Sequence, residues 1–227
     1  MRKAPLLRSL LSRLEPLDAF GALNAALFLL LAATTYWKRF RAFRPEGNFA
    51  EFFVYGAIIF TAILIGWGAL RRFRFPLLAV MTLEFGILLH FAAGLLHPGG
   101  ARLYDLQLGI SVFDYPLRFD KVVHLYNGFA GCIAVTEVAH FTKIRVPRGL
   151  TFFVCTSVLG MGALVEVVEY FVVKTVPHNG VGDYDNNMTD LVANLLGCLV
   201  FAVVRTMLQR AGMRSDFLRL SLERGDS

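Results

Sequence analysis

The sequence predicts an all-α fold, a polytopic membrane protein built as a bundle of about six transmembrane helices with both termini in the cytoplasm. Hydrophobic residues make up 56% of the chain, which exceeds the ~45–50% usual in soluble domains. They are collected in runs long enough to cross a hydrocarbon core of ~30 Å as helices. The 23 Lys and Arg residues lie mostly beside the helix ends that we place in the cytoplasm, which follows the positive-inside rule.

The charge pattern excludes one function class and indicates a compartment. The formal net charge is +6, but the basic residues flank the apolar runs instead of lining one face, so we expect no nucleic-acid partner. We expect the lipid bilayer as partner and the bacterial inner (plasma) membrane as the location. Cys132, Cys155 and Cys198 all fall inside apolar runs. An odd, scattered set argues against a disulfide framework, so we interpret them as core residues.

Three segments divide the chain. Residues 1–18 place basic residues among leucines, which is typical of an amphipathic segment on an anionic membrane surface. A disordered basic tail that serves only as a topology signal is the alternative. Residues 19–209 hold the transmembrane domain, and residues 210–227 form a basic cytoplasmic tail.

The helices follow from the apolar runs in chain order. We expect them at residues 19–37, 51–70, 77–96, 119–142, 149–174 and 188–209. The sequence His97-Pro98-Gly99-Gly100 is a stop signal after the third run. Residues 98–118 are too polar to span the membrane and too apolar for a free linker. We therefore expect them to pack over the end of the bundle as a re-entrant or interfacial segment.

The unusual polar residues inside the predicted helices lie at one level. With the N-terminus in the cytoplasm this level is near the outer face, because helices three and five run outward while helices four and six begin outside. Ionisable groups at membrane depth are costly and mark functional sites. The residues at this level are His90, His97, Asp120, His124, Glu166, Glu169, Asp190 and Asn194.

Helical spacing predicts which of these side chains share a face, since residues three, four or seven positions apart lie on one side of a helix. The shared faces are Asp120 with His124 and Asn127, Glu166 with Glu169, and Asp190 with Asn194. Each face also carries a glycine, which lets membrane helices approach closely. We therefore expect one polar pocket that opens to the outer face.

The residue types of this pocket indicate two kinds of chemistry. Carboxylates with an imidazole are a ligand set for a divalent metal; oxygen ligands favour Mg or Mn, and added nitrogen favours Zn. Without a metal, close carboxylates share a proton and serve in acid–base transfer. The candidate ligands or catalytic groups are Asp120, His124, Glu166 and Glu169, with His90 as a weaker candidate ligand. The candidate orienting residues are Lys121, Asn127, Asp190 and Asn194, and the candidate rim residues are His97, Asp183 and Asp185.

Structural roles are the alternative for several of these residues. An acid in a first helical turn, as at Asp120 and Asp190, is stabilised by the helix dipole and by free N–H groups. Glu166 and Glu169 would be structural if a basic neighbour neutralised them. The stretch 183–187 begins like a calcium loop but departs from the EF-hand pattern, so we interpret it as a turn that caps helix six.

Three strings resemble known families. Residues 119–129 read FDKVVHLYNGF, residues 166–169 have the pattern E-x-x-E, and residues 182–197 read GDYDNNMTDLVANLLG. From about helix two onward the chain resembles YjdF-type bacterial inner-membrane proteins, a family of unknown function. Helices four to six resemble, more distantly, VanZ-like membrane proteins, in which a D-K-x-x-H helix start accompanies a later Glu and a D-x-x-x-N-x-x-G helix. The resemblance marks Asp120, Lys121, His124, Glu166, Glu169, Asp190, Asn194 and Gly197; Glu169 is commonly Gln in the VanZ-like proteins.

These observations predict an integral inner-membrane protein whose outer-facing pocket binds or acts on an envelope or lipid-linked small molecule. One alternative is a proton- or cation-coupled transporter or channel, since the same carboxylates can relay protons. Another is a structural membrane scaffold. A transporter needs polar groups that continue to the inner face, and Glu84 and Glu137 are isolated in the sequence, so we favour the one-sided pocket. Both an enzyme and a binding protein fit this prediction.

Overall fold

A computed structural model describes residues 15–43, 45–112, 114–144, 149–175 and 183–211. The predicted basic segment 1–18 and the basic tail 210–227 lie almost wholly outside these residues. The described part is mostly helical, and five of its helices are long and apolar enough to cross a membrane. The predicted all-α, multi-pass class is therefore confirmed.

The helices follow one another along the chain. Helix α1 consists of Pro16–Leu31 and Trp37–Phe43, joined by one π-helical turn at Ala32–Tyr36. The other helices are α2 (Phe49–Arg71), α3 (Leu77–Leu95), α4 (Asp120–Phe141), α5 (Leu150–Thr175) and α6 (Tyr184–Arg210). The five helices that qualify as spans are all of these except α2. Helix α2 has 23 residues, and a rise of 1.5 Å per residue gives it about 35 Å, also enough for a ~30 Å core.

Large apolar side chains point outward from the helices. On α5, Phe152 is 75% exposed and Leu164 is 66% exposed, and Met207 of α6 is 64% exposed. Soluble proteins rarely expose broad apolar patches of this kind, because water solvates them poorly. Lipid acyl chains are as apolar as these side chains, so the exposed surface fits a bilayer.

Two segments differ from the sequence prediction. Residues 184–187, predicted as part of a turn, form the first turn of α6. The cause is a helix cap: the Asp183 carboxylate accepts a hydrogen bond from the Asn186 N–H at 2.9 Å. In the segment 98–118, two 3₁₀ turns precede an antiparallel hairpin. Its strands are β1 (Gln107–Val112) and β2 (Tyr115–Arg118).

The hairpin follows from a local pattern that the sequence analysis overlooked. Leu108, Ile110 and Val112 alternate with small or polar residues, which is the period of a strand. Gly109 has a φ of +72° where the register of the two strands is irregular, and glycine is the residue that such a bulge favours. Asp114, with a φ of +64°, lies where the chain turns back, a conformation that Asp tolerates.

Contacts divide the chain into two compact units, residues 1–80 and 81–227. In the first unit the end of α2 is joined to the start of α1. Arg71 Nε donates to Asp18 Oδ1 at 2.7 Å, and Trp67 Nε1 donates to the same oxygen at 3.3 Å. This contact was not predicted, although Asp18 directly precedes the first apolar run.

In the second unit α4 and α6 meet backbone to backbone. A Cβ built on Gly197 would lie 2.0 Å from the carbonyl oxygen of Leu125, and one on Gly128 would lie 2.5 Å from the carbonyl oxygen of Asn194. Helix α5 packs against the same place, since a Cβ on Gly162 would lie 3.1 Å from the Asn194 amide nitrogen. Small residues at these contacts allow the close approach. The N-terminal turns of α4 and α6 therefore lie side by side.

Candidate functional site

Lys121 lies at the centre of a buried polar cluster at the N-terminal ends of α4 and α6. Its side chain is only 6% exposed. The Nζ atom donates to Asp190 Oδ1 at 2.7 Å, to Asp120 Oδ2 at 3.0 Å and to Asn186 Oδ1 at 3.0 Å. An ammonium group has three donors, and each has an acceptor here. We call Asp120, Lys121, His124, Asn186 and Asp190 the Lys121 cluster.

The local sequence explains why these groups meet. Asp120 and Lys121 are the first two residues of α4, and the Lys121 N–H donates to Asp120 Oδ1 at 2.8 Å. Asn186 and Asp190 are four positions apart on α6, so they share one face. Asn186 Nδ2 donates to Asp190 Oδ2 at 2.9 Å, and Tyr115 of β2 donates to Asn186 Oδ1 at 3.4 Å. The hairpin thus covers the cluster at one side.

His124 extends the cluster by one turn along α4. Its Nε2 atom lies 3.4 Å from Asp190 Oδ1. Asn194, buried one turn beyond Asp190 on α6, is a polar neighbour of His124. The structure therefore brings together Asp120, His124, Asp190 and Asn194, with Lys121 between the two aspartates.

His90 of α3 contacts Tyr104, which interacts electrostatically with Asp120 and Asp190 of the Lys121 cluster. The two side chains form a hydrogen bond between Tyr104 Oη and His90 Nδ1, and their rings meet edge to face with centroids 5.4 Å apart. Burial raises the pKa of Tyr104 well above its usual range, and the negative charges of Asp120, Asp190 and Glu169 raise it further. The hydroxyl therefore keeps its proton at neutral pH and can donate to the imidazole.

Glu166 and Glu169 lie on α5, and within the described residues no ion pair joins either of them to a basic side chain, although Lys121 acts on both electrostatically. Glu166 is 6% exposed, and within the described residues its Oε2 atom has no hydrogen-bond partner. The ion pairs found in the described part of the chain include neither glutamate: Lys121 contacts Asp120 and Asp190, and Arg118 lies 3.9 Å from Asp105. The alternative that a basic residue neutralises this pair therefore stays open, with Lys121 as the basic residue that acts on both carboxylates.

The remaining predicted residues have other surroundings. Asp183 and Asp185 are exposed at the start of α6, where Asp183 serves as the helix cap. His97 is exposed beyond the end of α3, and its Nδ1 atom lies 2.8 Å from the Leu95 carbonyl oxygen. Asn127 is exposed and turned toward α3, since a Cβ on Gly86 would lie 2.7 Å from its Oδ1 atom.

The predicted metal ligands are distributed over two helices, α4 and α5. A metal site needs at least three His, Cys, Asp or Glu ligand atoms close together. In the described ranges, Cys132, Cys155 and Cys198 form such a group, with ligand atoms within 4.8 Å of one another. Asp120, His124, Glu166 and Glu169 form no such group there. The cation that contacts Asp120 is the Lys121 ammonium, because a lysine at the second position of α4 can reach both aspartates. Asp120 thus takes part in an ion-pair cluster, and a metal site at the predicted ligands stays a prediction.

A groove of about 490 Å³ runs beside the Lys121 cluster. The hairpin, α4 and α6 form its walls, and most of its surface is apolar. The apolar residues that line it are Leu108, Val112, Leu117, Val122, Leu125, Met188, Val192, Ala193 and Leu196. Lys121, Asp185 and Thr189 add polar groups, and Tyr115 adds an aromatic ring. Sequence reasoning missed the groove because its outer wall is the hairpin that it did not predict.

Comparison with known proteins gives a family. Residues 23–211 match the family described as predicted membrane protein (DUF2238), which includes the YjdF-type proteins. No curated protein and no solved structure matches the chain. The YjdF-type resemblance is thereby confirmed, while the VanZ-like resemblance stays a prediction. Because the matched residues cover most of the chain and every candidate site residue, the protein belongs to the DUF2238 family of predicted membrane proteins.

Proposed function

We propose that this membrane protein binds an amphiphilic envelope molecule, with the polar end at the Lys121 cluster and the apolar chain in the adjoining groove. One observation carries the proposal: Lys121 takes part in the buried ion-pair cluster and also lines the groove. A polar site joined to an apolar groove is complementary to a lipid or a lipid-linked compound, which has a polar head group and an apolar chain.

The groove supports the apolar half of the proposal. Its volume of about 490 Å³ is within the range of small-molecule sites, about 300–1,000 Å³. Val192 and Leu196 line it and are also 53% and 47% exposed at the outside of α6. A ligand could therefore enter sideways from the bilayer, without crossing water.

The charges of the Lys121 cluster narrow the class of head group. Lys121 offers one positive charge, whereas Asp120 and Asp190 offer two negative charges, and Asp185 lines the groove nearby. A phosphate monoester would meet more carboxylates than cations. We therefore propose a head group that presents an amine or hydroxyls, which can donate to these carboxylates.

We extend the proposal to Glu166, which is not among the residues that line the groove but interacts electrostatically with Asp190 and Lys121. A buried carboxylate oxygen without a partner costs free energy, and native structures usually satisfy it. A bound amine or hydroxyl would satisfy the Oε2 atom of Glu166. The same carboxylate, if protonated, would be suited to acid–base transfer, which keeps an enzymatic role within this proposal.

Native mass spectrometry of the full chain in detergent tests the proposal. We expect the protein to retain phosphatidylethanolamine, whose head group carries an amine, in preference to phosphatidic acid. Val192→Trp would fill the groove without touching the Lys121 cluster, and we expect it to weaken retention by about tenfold, which is about 1.4 kcal/mol.

The control is Val203→Trp, which adds the same ring to an exposed position of α6 outside the groove. It should retain lipid like the unaltered chain. Equal retention by Val192→Trp and the unaltered chain would contradict the proposed groove. A preference for phosphatidic acid would contradict the proposed head group, and binding of polyprenyl-linked sugars alone would identify a lipid-linked ligand.

Proton- or cation-coupled transport is a second candidate function, supported by buried polar residues at the opposite ends of α4 and α6. Glu137 is 2% exposed and Arg205 is completely buried, so ionisable groups are not confined to the Lys121 cluster. A pH-sensitive dye inside proteoliposomes would test this candidate. Proton influx that Glu137→Gln abolishes would favour transport, and no influx would favour ligand binding.

A further inference from the structure

Three cysteines converge in the core of the second unit. Cys132 belongs to α4, Cys155 to α5 and Cys198 to α6, and their Sγ atoms all lie within 4.8 Å of one another. Cys132 and Cys198 are completely buried. The sequence interpretation as separate core residues is therefore incomplete, because each of three helices contributes one sulfur to the same point.

The cysteine group is separate from the Lys121 cluster. Cys132 follows Lys121 by about 11 residues, which is about 17 Å along α4. The thiols make only weak hydrogen bonds. Cys155 Sγ lies 3.5 Å from the Cys198 carbonyl oxygen, Cys198 Sγ lies 3.9 Å from the Cys155 carbonyl oxygen and 4.0 Å from that of Gly128, and Cys132 interacts with the other two thiols. Hydrogen bonding from thiols is weak in general, so these contacts do not explain why three sulfurs meet.

The spacing of the sulfurs is close to that of a thiolate metal site. With metal–sulfur bonds of about 2.3 Å, three ligands of one ion have sulfur–sulfur distances of about 3.8–4.0 Å. The separations here are at most 4.8 Å. The sulfur–sulfur distances would have to shorten by about 1 Å or less to match a metal site. Small rotations of the cysteine side chains can supply this change.

The ligand type and the surrounding charge select the class of ion. Thiolates favour Cu(I) and Zn(II) over the hard cations Mg and Ca. Burial of net charge in an apolar core is costly unless it is compensated. Arg205, completely buried, acts electrostatically on Cys155. One Zn(II) ion offsets two of the three negative charges of a trithiolate site, and one Cu(I) ion offsets one of them.

We propose that Cys132, Cys155 and Cys198 bind one thiophilic metal ion, Cu(I) or Zn(II), in the core of α4, α5 and α6; Zn(II) would take a fourth ligand besides the three sulfurs. The ion would join three helices at one point. Binding to the folded chain alone would stabilise it by mass action, so metal loading should also raise the unfolding temperature.

Metal loading of the full chain tests this site. Protein purified without a histidine tag, in detergent and under anaerobic reducing conditions, is incubated with Zn(II) or Cu(I) and then freed of unbound metal. Inductively coupled plasma mass spectrometry should find about one Zn or Cu ion per chain. X-ray absorption should find three sulfur neighbours at about 2.3 Å from the ion.

The control variants are Cys132→Ala, Cys198→Ala and the triple alanine variant, each with its circular dichroism spectrum compared with that of the unaltered chain. We expect folded variants to lose the bound ion. If the variants do not fold, the number of sulfur neighbours in the X-ray absorption spectrum of the unaltered chain tests the proposal instead. Equal metal content in the unaltered chain and a folded triple variant, or fewer than three sulfur neighbours in the spectrum, would overturn the proposal.

Discussion

At the residue scale, Lys121 determines the stability of its surroundings because it compensates two buried carboxylates. Asp190 is 3% exposed and Asp120 is 11% exposed at their side chains. Separating such an ion pair leaves an uncompensated charge in a poorly hydrated place, which costs several kcal/mol. The ammonium thus does in this protein what a metal ion does in other carboxylate clusters.

Lys121→Met tests this compensation. The change leaves Asp120 and Asp190 without their cation, so we expect the free energy of unfolding to fall by about 3–5 kcal/mol. Denaturant unfolding in detergent measures it. Lys174→Met is the control, since Lys174 is exposed and its Nζ contacts only the Tyr170 ring among the interactions described. A loss below about 1 kcal/mol for Lys121→Met would show that the ion pair is solvated.

Tyr104 predicts a dependence of stability on pH. Burial raises its pKa in the folded chain, so its contribution is complete below the unfolded pKa of about 10 and is lost as pH rises above that value. Tyr104→Phe cannot ionise, and we expect it to lose less stability between pH 9 and pH 11 than the unaltered chain. Thermal unfolding at both pH values measures the difference. Tyr184→Phe, at a position that is 75% exposed, should behave like the unaltered chain.

At the element scale, the contact between α4 and α6 depends on glycine. The two backbones approach so closely at Gly128 and Gly197 that any Cβ would overlap a main-chain atom. A main-chain atom cannot rotate away, so the helices would have to separate. That separation would also pull Asp190 from Lys121, because both lie on the helix turns next to the contact.

Gly197→Ala tests this contact. Its Cβ would lie 2.0 Å from the Leu125 carbonyl oxygen, and overpacking of this kind costs about 1–3 kcal/mol or more. Gly160→Ala on α5 is the matched control, because nothing lies within 4 Å of its Cβ. The control should be neutral or stabilising by up to about 1 kcal/mol, the helix propensity of alanine over glycine. Equal unfolding temperatures for both variants would contradict the close packing.

At the scale of the whole molecule, the distribution of basic residues predicts that the Lys121 cluster faces outward. A cysteine introduced at Asp185, an exposed residue at the start of α6, should react with an impermeant maleimide in intact cells. One introduced at Lys143, exposed after the end of α4, should react only after lysis. The unaltered chain is the control for the three native cysteines, and the reverse labelling pattern would invert the topology.

The helices were predictable because a segment in lipid must satisfy its own backbone hydrogen bonds, and the helix does so within one run. Residues 119–142 were predicted and α4 spans Asp120–Phe141. The hairpin was not predicted, because its alternating pattern is short and lies between apolar runs. The first turn of α6 was missed because its polar residues resemble a loop, whereas the Asp183 cap starts the helix there.

The candidate site was predicted in part. Helical spacing placed Asp120 and His124 on one face of α4. In the structure Lys121 bridges Asp120 and Asp190, and His124 Nε2 lies 3.4 Å from Asp190 Oδ1. Spacing also placed Asn127 on that face, but Asn127 is turned toward α3. A helix that is apolar nearly all round gives little indication of which stripe faces the core. The sequence therefore does not determine which neighbouring helix a side chain at the edge of a stripe contacts.

The sequence by itself determined the membrane class, the order of the helices and the residues that are costly to bury, because these follow from composition and period along one chain. The folded arrangement of the helices was needed to find that Lys121 is the cation of the cluster, that a groove adjoins it, and that three cysteines meet. These features depend on the rotation and depth of each helix relative to its neighbours. Packing at Gly128, Gly162 and Gly197 sets both.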